Sequence, residues 1–139
     1  MAKYVFEILD EVTKAKSKAD KVAILKKNES WPLKDVLRGT YDSTVKWGLP
    51  GGEPPYTPSE AHNHPATLFR EFKKFGYFIE NSGKARGVPK FKIEQLFIGL
   101  IEGSHPEDAK VVIDMINKST RKGLTRPVIQ EAFPGLLRD

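Results

Sequence analysis

Val5, Ile8, Leu9 and Val12 recur at i, i+3, i+4 and i+7, which predicts a first helix over residues 3–14 with one apolar face. Ser17 followed three residues later by Asp20 reads as a capping box that opens a second helix, with Ala19, Val22 and Leu25 inward and Asn28 as its stop. Ser30 and Pro32 open a third, turning Leu33, Val36, Leu37 and Tyr41 inward. Residues 49–65, LPGGEPPYTPSEAHNHP, then break the rhythm. Five prolines and the Gly51-Gly52 pair make this stretch a long loop.

The helical pattern resumes after Pro65. Leu68, Phe69, Phe72 and Phe75 form a bulky stripe ending near Gly76, and Asn81-Ser82-Gly83 reads as a turn. Ile93, Leu96, Phe97, Leu100 and Ile101 line one face of the next helix, which Gly103 stops. Ser104 to Glu107 reads as another capping box, with Pro106 in the first turn and Ala109, Val112, Ile113 and Ile116 inward. Thr125 and Pro127 start a last short helix through Val128, Ile129, Ala132 and Phe133, closed by Pro134-Gly135. No segment alternates with a period of two, so strands are not expected. The predicted fold is a single all-α domain over residues 1–139, built of six or seven short helices.

Composition narrows the function classes. A chain of 139 residues suits one hydrophobic core, and zero cysteines remove disulfides, thiol nucleophiles and Cys-ligated zinc. There is no apolar run of about 18 residues, and the opening MAKYVFEILDEV carries acids within its apolar stretch, unlike a secretory signal. The expectation is a cytoplasmic protein without a membrane partner. Its net charge of +5 is unevenly distributed. Residues 14–46 hold nine bases against four acids, whereas residues 93–117 hold five acids and one base. Two short segments are purely basic: Lys84, Arg86, Lys90 and Lys92, then Lys118, Arg121, Lys122 and Arg126.

Those basic segments belong to an internal repeat. Residues 86–97, RGVPKFKIEQLF, overlay residues 122–133, KGLTRPVIQEAF, without a gap at a spacing of 36. Both run base, glycine, apolar residue, helix opener, base, then a helix. Glycine lets backbone approach closely, a helix N-terminus offers unpaired N–H groups, and flanking Lys or Arg add charge, so each corner has the makings of an anion clamp. Two clamps related by an approximate two-fold would suit the two phosphate strands of a duplex. The plainer alternative is a pair of αα-corners whose glycines cap helices and whose bases complement helix C-termini.

Asn117-Lys118-Ser119-Thr120-Arg121-Lys122-Gly123-Leu124, continuing to Phe133-Pro134-Gly135-Leu136-Leu137, resembles the end of the N-terminal DNA-binding domain of T-even-type phage ATP-dependent DNA ligases. Phe6-Glu7-Ile8-Leu9, Ala23-Ile24-Leu25-Lys26-Lys27-Asn28 and Leu33-Lys34-Asp35-Val36-Leu37-Arg38-Gly39-Thr40-Tyr41 resemble that domain's opening helices, in order and with similar spacing. The likeness weakens in the Pro-rich loop and the Phe stripe. It implies an all-helical domain that grips duplex DNA from the minor-groove side, with two pseudo-symmetric glycine corners on the phosphate backbones. The implied contact residues are Arg86, Gly87 and Lys90 in the first corner, and Lys122, Gly123, Thr125 and Arg126 in the second; Lys84 and Arg121 of the two basic segments complete the candidate nucleic-acid site. The chain departs from the ligases in lacking a lysine nucleophile in a K-x-D-G context. It also lacks room for nucleotidyltransferase and OB domains. The expectation is therefore a non-enzymatic, stand-alone duplex-binding domain in phage DNA replication or repair, with no cofactor and no metal.

Other groupings carry less. His62-Asn63-His64 spells a nuclease motif, but in that family the three residues are spread over a ββα metal site, so here they read as loop chemistry. Asp10-Glu11 reads as part of a solvated face and Glu107-Asp108 as a helix N-terminus. The Phe69, Phe72, Phe75 stripe with Phe78 could stack bases, although helical spacing favours core. Trp31 and Trp47 bracket the basic third helix, and either could anchor a partner or pack in the core. Gln95-Leu96-Phe97-Ile98 has a trace of a sliding-clamp peptide but lacks its terminal aromatic pair. The alternative function is a protein-interaction module that docks on a replisome component such as the sliding clamp, or on a host protein.

Overall fold

The computed structural model describes residues 3–49, 52–60, 62–63, 67–80 and 82–137. His64, Pro50, Gly51, Pro65 and Asn81, which enter the loop and turn readings above, lie outside them. The described residues form an all-α fold: α1 (Val5–Lys14), α2 (Lys18–Lys27), α3 (Trp31–Tyr41), α4 (Leu68–Glu71), α5 (Phe75–Phe78), α6 (Lys90–Gly103), α7 (Pro106–Ile116) and α8 (Arg126–Ala132). A 3-10 turn over Phe72–Lys74 joins α4 to α5, so these three pieces make one bent helical unit and the described residues hold seven units in all.

Most boundaries follow from local chemistry. The Ser17 hydroxyl accepts the Asp20 N–H at 3.1 Å and the Ser30 hydroxyl accepts that of Leu33 at 3.3 Å, starting α2 and α3 as expected. The Glu7 carboxylate reaches back to the Tyr4 N–H at 3.0 Å and closes the first turn of α1. At α7 the cap differs from the sequence reading. Ser104 is buried and donates to the Leu100 carbonyl at 2.8 Å, while His105 caps α7 by accepting the Glu107 N–H on Nδ1 at 3.1 Å. Pro106 can then still occupy the first helical position.

The Phe stripe also differs. It continues past Gly76 to Phe78, and it bends. Phenylalanines at 69, 72, 75 and 78 repeat every three residues, the period of a 3-10 helix, and the backbone tightens to 3-10 in their midst. Leu68, Phe75 and Phe78 are buried, while Phe69 and Phe72 are half-buried. Ala19, expected inward, is exposed, because α2 buries only Val22 and Leu25.

The core gathers around α7, which packs on α1, α3 and α6, while α2 packs on α1 and α8. Val111 and Met115 are buried together with the four expected positions, which leaves Glu107, Lys110 and Asp114 as a narrow polar stripe on the solvent side of α7. Its buried Asp108 accepts the Phe6 N–H at 2.9 Å, which ties the start of α1 to the start of α7. The Pro-rich loop is strapped over the far ends of α6 and α7. Asn117 bonds both the N–H (2.6 Å) and the carbonyl (3.1 Å) of Gly52, and Glu102 accepts the Thr57 N–H at 2.8 Å. An isolated antiparallel bridge, Trp47 to Ile79, joins the start of this loop to the end of α5, with Gly48 N–H to Phe78 O and Glu80 N–H to Lys46 O both at 2.7 Å.

Gly39 lies in the interior of α3, where glycine costs about 1 kcal/mol relative to alanine. Its use is steric. A Cβ there would meet Trp47 Cζ2 at 2.5 Å and Met115 Cγ at 2.7 Å, and the Trp47 indole N–H donates to the Gly39 carbonyl at 3.0 Å. Gly39→Ala is therefore expected to lower stability by about 1–3 kcal/mol despite its better helix propensity, measured by urea denaturation, and to shift Trp47 fluorescence.

Candidate nucleic-acid interface

The two halves of the sequence repeat adopt the same backbone turn. Val88 N–H bonds to Ala85 O at 3.1 Å, and Leu124 N–H to Arg121 O at 3.2 Å. In each turn the third residue is a glycine with positive φ, +79° at Gly87 and +93° at Gly123. This is the conformation of a type II turn, which disfavours a side chain at that position. Three residues after each glycine a helix begins, α6 at Lys90 and α8 at Arg126. The cap residues Pro89 and Thr125 make no side-chain hydrogen bond to the helices they open.

Their surroundings are unlike. In the first corner Lys84, Arg86, Gly87, Lys90, Phe91 and Lys92 are all exposed, and a Cβ on Gly87 would meet nothing within 4 Å. Lys84 is held to the body by the Lys73 carbonyl at 2.9 Å and lies 5.7 Å over the Tyr77 ring. The second corner is packed into the fold. The Gly123 carbonyl accepts the Lys21 ammonium, and a Cβ on Gly123 would sit 3.3 Å from the Thr13 carbonyl. Arg121 pairs with Asp10 at 2.9 Å, so Asp10 is an ion-pair partner rather than part of a purely solvated face. Arg126 donates to the Tyr41 carbonyl. Lys122 and Thr125 remain exposed.

Two residues that sequence reasoning did not assign to the site organise it. Lys118, in the left-handed region at φ +53°, donates to the carbonyls of Gly39 (3.0 Å) and Asp42 (2.7 Å). With Arg126 it complements the C-terminal end of α3, so part of this corner does serve a helix terminus. Burial lowers the pKa of the Lys118 ammonium from its ordinary value, and the Asp42 charge opposes that shift. The second residue is Tyr41. Its hydroxyl donates to Leu124 O at 2.7 Å and accepts the Arg121 N–H at 3.0 Å, engaging the first and last residues of the glycine turn. A tyrosine in the inward stripe of α3 was the available signal, because a buried phenol needs a polar partner.

Burial raises the Tyr41 pKa above its ordinary value of 10.0, against the Arg121 N–H bond and charge, which lower it. The protonated phenol is thus favoured in the folded state. Its contribution to stability is fully present below pH 10 and is lost as pH rises from there through the raised value. Tyr41→Phe is expected to cost about 1–3 kcal/mol at neutral pH, because it strands the Leu124 carbonyl and the Arg121 N–H. It should also remove the part of the alkaline loss of stability that Tyr41 contributes, leaving that of Tyr56, itself raised by burial. Urea denaturation at pH 7 and across pH 9–11.5 checks both.

His62 of the nuclease-like tripeptide pairs with Glu60 at 3.1 Å on an exposed loop, and no group of three or more His, Asp or Glu gathers as a metal site among the described residues. No helix among them is long and apolar enough to cross a membrane. No curated protein matches the chain. The first corner and the first half of the second fall within residues 8–122, which match DUF6433, a family of unknown function, and over that span, well beyond half its length, the protein belongs to this family.

Proposed function

We propose that the protein is a non-enzymatic, sequence-independent duplex-DNA-binding protein of phage replication or repair, built like the N-terminal DNA-binding domain of T-even-type phage DNA ligases. The observation that carries this reading is the recurrence of one turn, with its positive-φ glycine, its following helix and its flanking bases, at two places in one small fold. The first corner offers exposed Arg86, Gly87 and Lys90 at the start of the fourteen-residue α6. The second offers Lys122 and Thr125, with Arg121 and Arg126 held in place by Asp10 and Tyr41. A guanidinium has five donors, so the Asp10 contact of Arg121 is compatible with a phosphate contact. Backbone contacts of this kind supply affinity without reading bases.

One observation favours the second reading, a module that docks on a sliding clamp, another replisome component or a host protein. Trp31 is 62% exposed beside Phe133, Pro134 and Leu136, and tryptophan is enriched at protein interfaces.

Fluorescence anisotropy on nicked and intact duplexes across a salt series separates the two. Replacing Arg86 and Lys90 together with alanine is expected to weaken binding to all duplex sequences alike. The slope of log affinity against log salt should flatten by nearly 2, at roughly 0.9 per lost phosphate contact, with an unchanged thermal melt. Unchanged affinity and slope would favour the protein-docking reading. The second corner should behave differently. Arg126→Ala is expected to lower stability by about 1–2 kcal/mol along with affinity, because the Tyr41 carbonyl loses its donor. Gly123→Val should destabilise more than Gly87→Val, since only the former meets neighbouring backbone as well as an unfavourable φ.

A further inference from the structure

Between α3 and the bent α4–α5 unit lies a cleft of about 330 Å³, within the size range of small-molecule sites. Its chemistry is mixed in a specific way. Trp47 and Phe72, both half-buried, supply aromatic wall, and buried Phe75 lines it with them. The indole is fixed by its bond to the Gly39 carbonyl and by the Trp47–Ile79 bridge, so this wall is formed in advance. Arg38 and Lys84 supply positive charge. The stem of Lys84 lies directly over Gly76, where a Cβ would come within 2.8 Å of Lys84 Cδ, and its ammonium is tethered to the Lys73 carbonyl with donors to spare. The bare glycine thus holds a lysine in position at the cleft. Asp35, one turn before Arg38, adds a single carboxyl whose pKa burial raises against the pull of Arg38.

An aromatic wall beside the cations of Arg38 and Lys84, with Lys73 also on the lining, suits a ligand that is a flat heterocycle at one end and an anion at the other. We infer that this cleft binds one nucleotide, its base against Trp47 and Phe72, its phosphate against Arg38 and Lys84, and a base N–H within reach of Asp35. Stacking on an aromatic ring and a charge-assisted phosphate contact are the two terms by which proteins hold unpaired nucleotides. A free mononucleotide and an unpaired nucleotide within a strand share this chemistry. Lys84 is shared with the first corner, but the inference does not rest on duplex binding, because Arg38, Trp47 and Phe72 belong to the cleft and not to either corner.

The test is a titration of the ¹⁵N-labelled full chain, followed by backbone and indole N–H shifts. The probes are AMP, GMP, adenosine, guanosine and inorganic phosphate, with a single-stranded tetranucleotide in a parallel arm. Saturable shifts confined to residues 35–39, the Trp47 indole, residues 72–76 and Lys84 are expected with the monophosphates, at a Kd of roughly 10 µM to 1 mM. The nucleosides and phosphate alone should each bind about tenfold or more weakly. Arg38→Gln and Phe72→Leu should each weaken binding by about tenfold while the circular dichroism spectrum stays that of the folded protein, with a lower melting temperature only for Phe72→Leu, whose ring packs on the core. Shifts at the same residues with the tetranucleotide alone would support the inference with a strand as the source. It is overturned if inorganic phosphate acts as strongly as the nucleotides, if the shifts map outside the cleft, or if nothing saturates by about 10 mM in either arm.

Discussion

The Tyr41 hydroxyl donates to one end of the second glycine turn and accepts from the other, and the position of that turn follows from this pair of bonds. A buried phenol left without partners would be costly, so the turn must arrive in one orientation. Once it does, the Arg126 guanidinium, the Lys118 ammonium and the Lys21 ammonium all find backbone carbonyls, at α3 or on Gly123 itself. Three cations in a fold of net positive charge are thereby directed to helix ends and turn carbonyls, where partial negative charge accumulates. Among the described residues no side chain bonds both ends of the first glycine turn as Tyr41 does. Ser82 accepts the Ala85 N–H at 3.2 Å at its start, while Arg86, Gly87 and Lys90 face solvent.

The same α3 terminus connects the core to the surface. Gly39 admits Trp47 and Met115 to the helix backbone, so the indole both seals the core over α7 and presents a wall to the cleft beside it. Substitutions at Gly39 would therefore be felt in packing and in the cleft together. Most of the circumference of α7 is apolar and is covered by α1, α3 and α6, and only the stripe of Glu107, Lys110 and Asp114 meets solvent.

Much of this architecture was readable from periodicity. The inward stripes of α1, α3 and α8 are buried as their spacing implies, because a 3.6-residue period on a short, capped helix leaves one face to bury. The gapless repeat likewise pointed to the two turns that share one backbone form. What escaped was long-range. Whether Ser104 or His105 caps α7 depends on which side chain can turn away to the Leu100 carbonyl, and a capping pattern does not encode that. The three-residue recurrence of phenylalanine signalled a 3-10 tightening but resembles a helical stripe until the phase drift is counted. The different environments of the corners were invisible, since Thr13, Lys21 and Tyr41 lie 80–110 residues away from the turn they contact, a separation over which local patterns carry no information. The role of Asp10 was hidden for the same reason.

The bonds from Phe6 to Asp108, from Lys21 to Gly123 and from Tyr41 to Leu124 span 102, 102 and 83 residues. During synthesis the first three helices must therefore leave the ribosome well before the segments that complete them. At ~5–20 residues per second the nascent chain carries the uncovered apolar faces of α1 and α3 for several seconds. Throughout that interval the carbonyls at the end of α3 still lack the Lys118 and Arg126 side chains that later cap them. Helices of ten or eleven residues are marginal on their own in water, so the order in which the chain emerges makes α1, α2 and α3 depend on the segment made last, the second glycine turn, for their final partners.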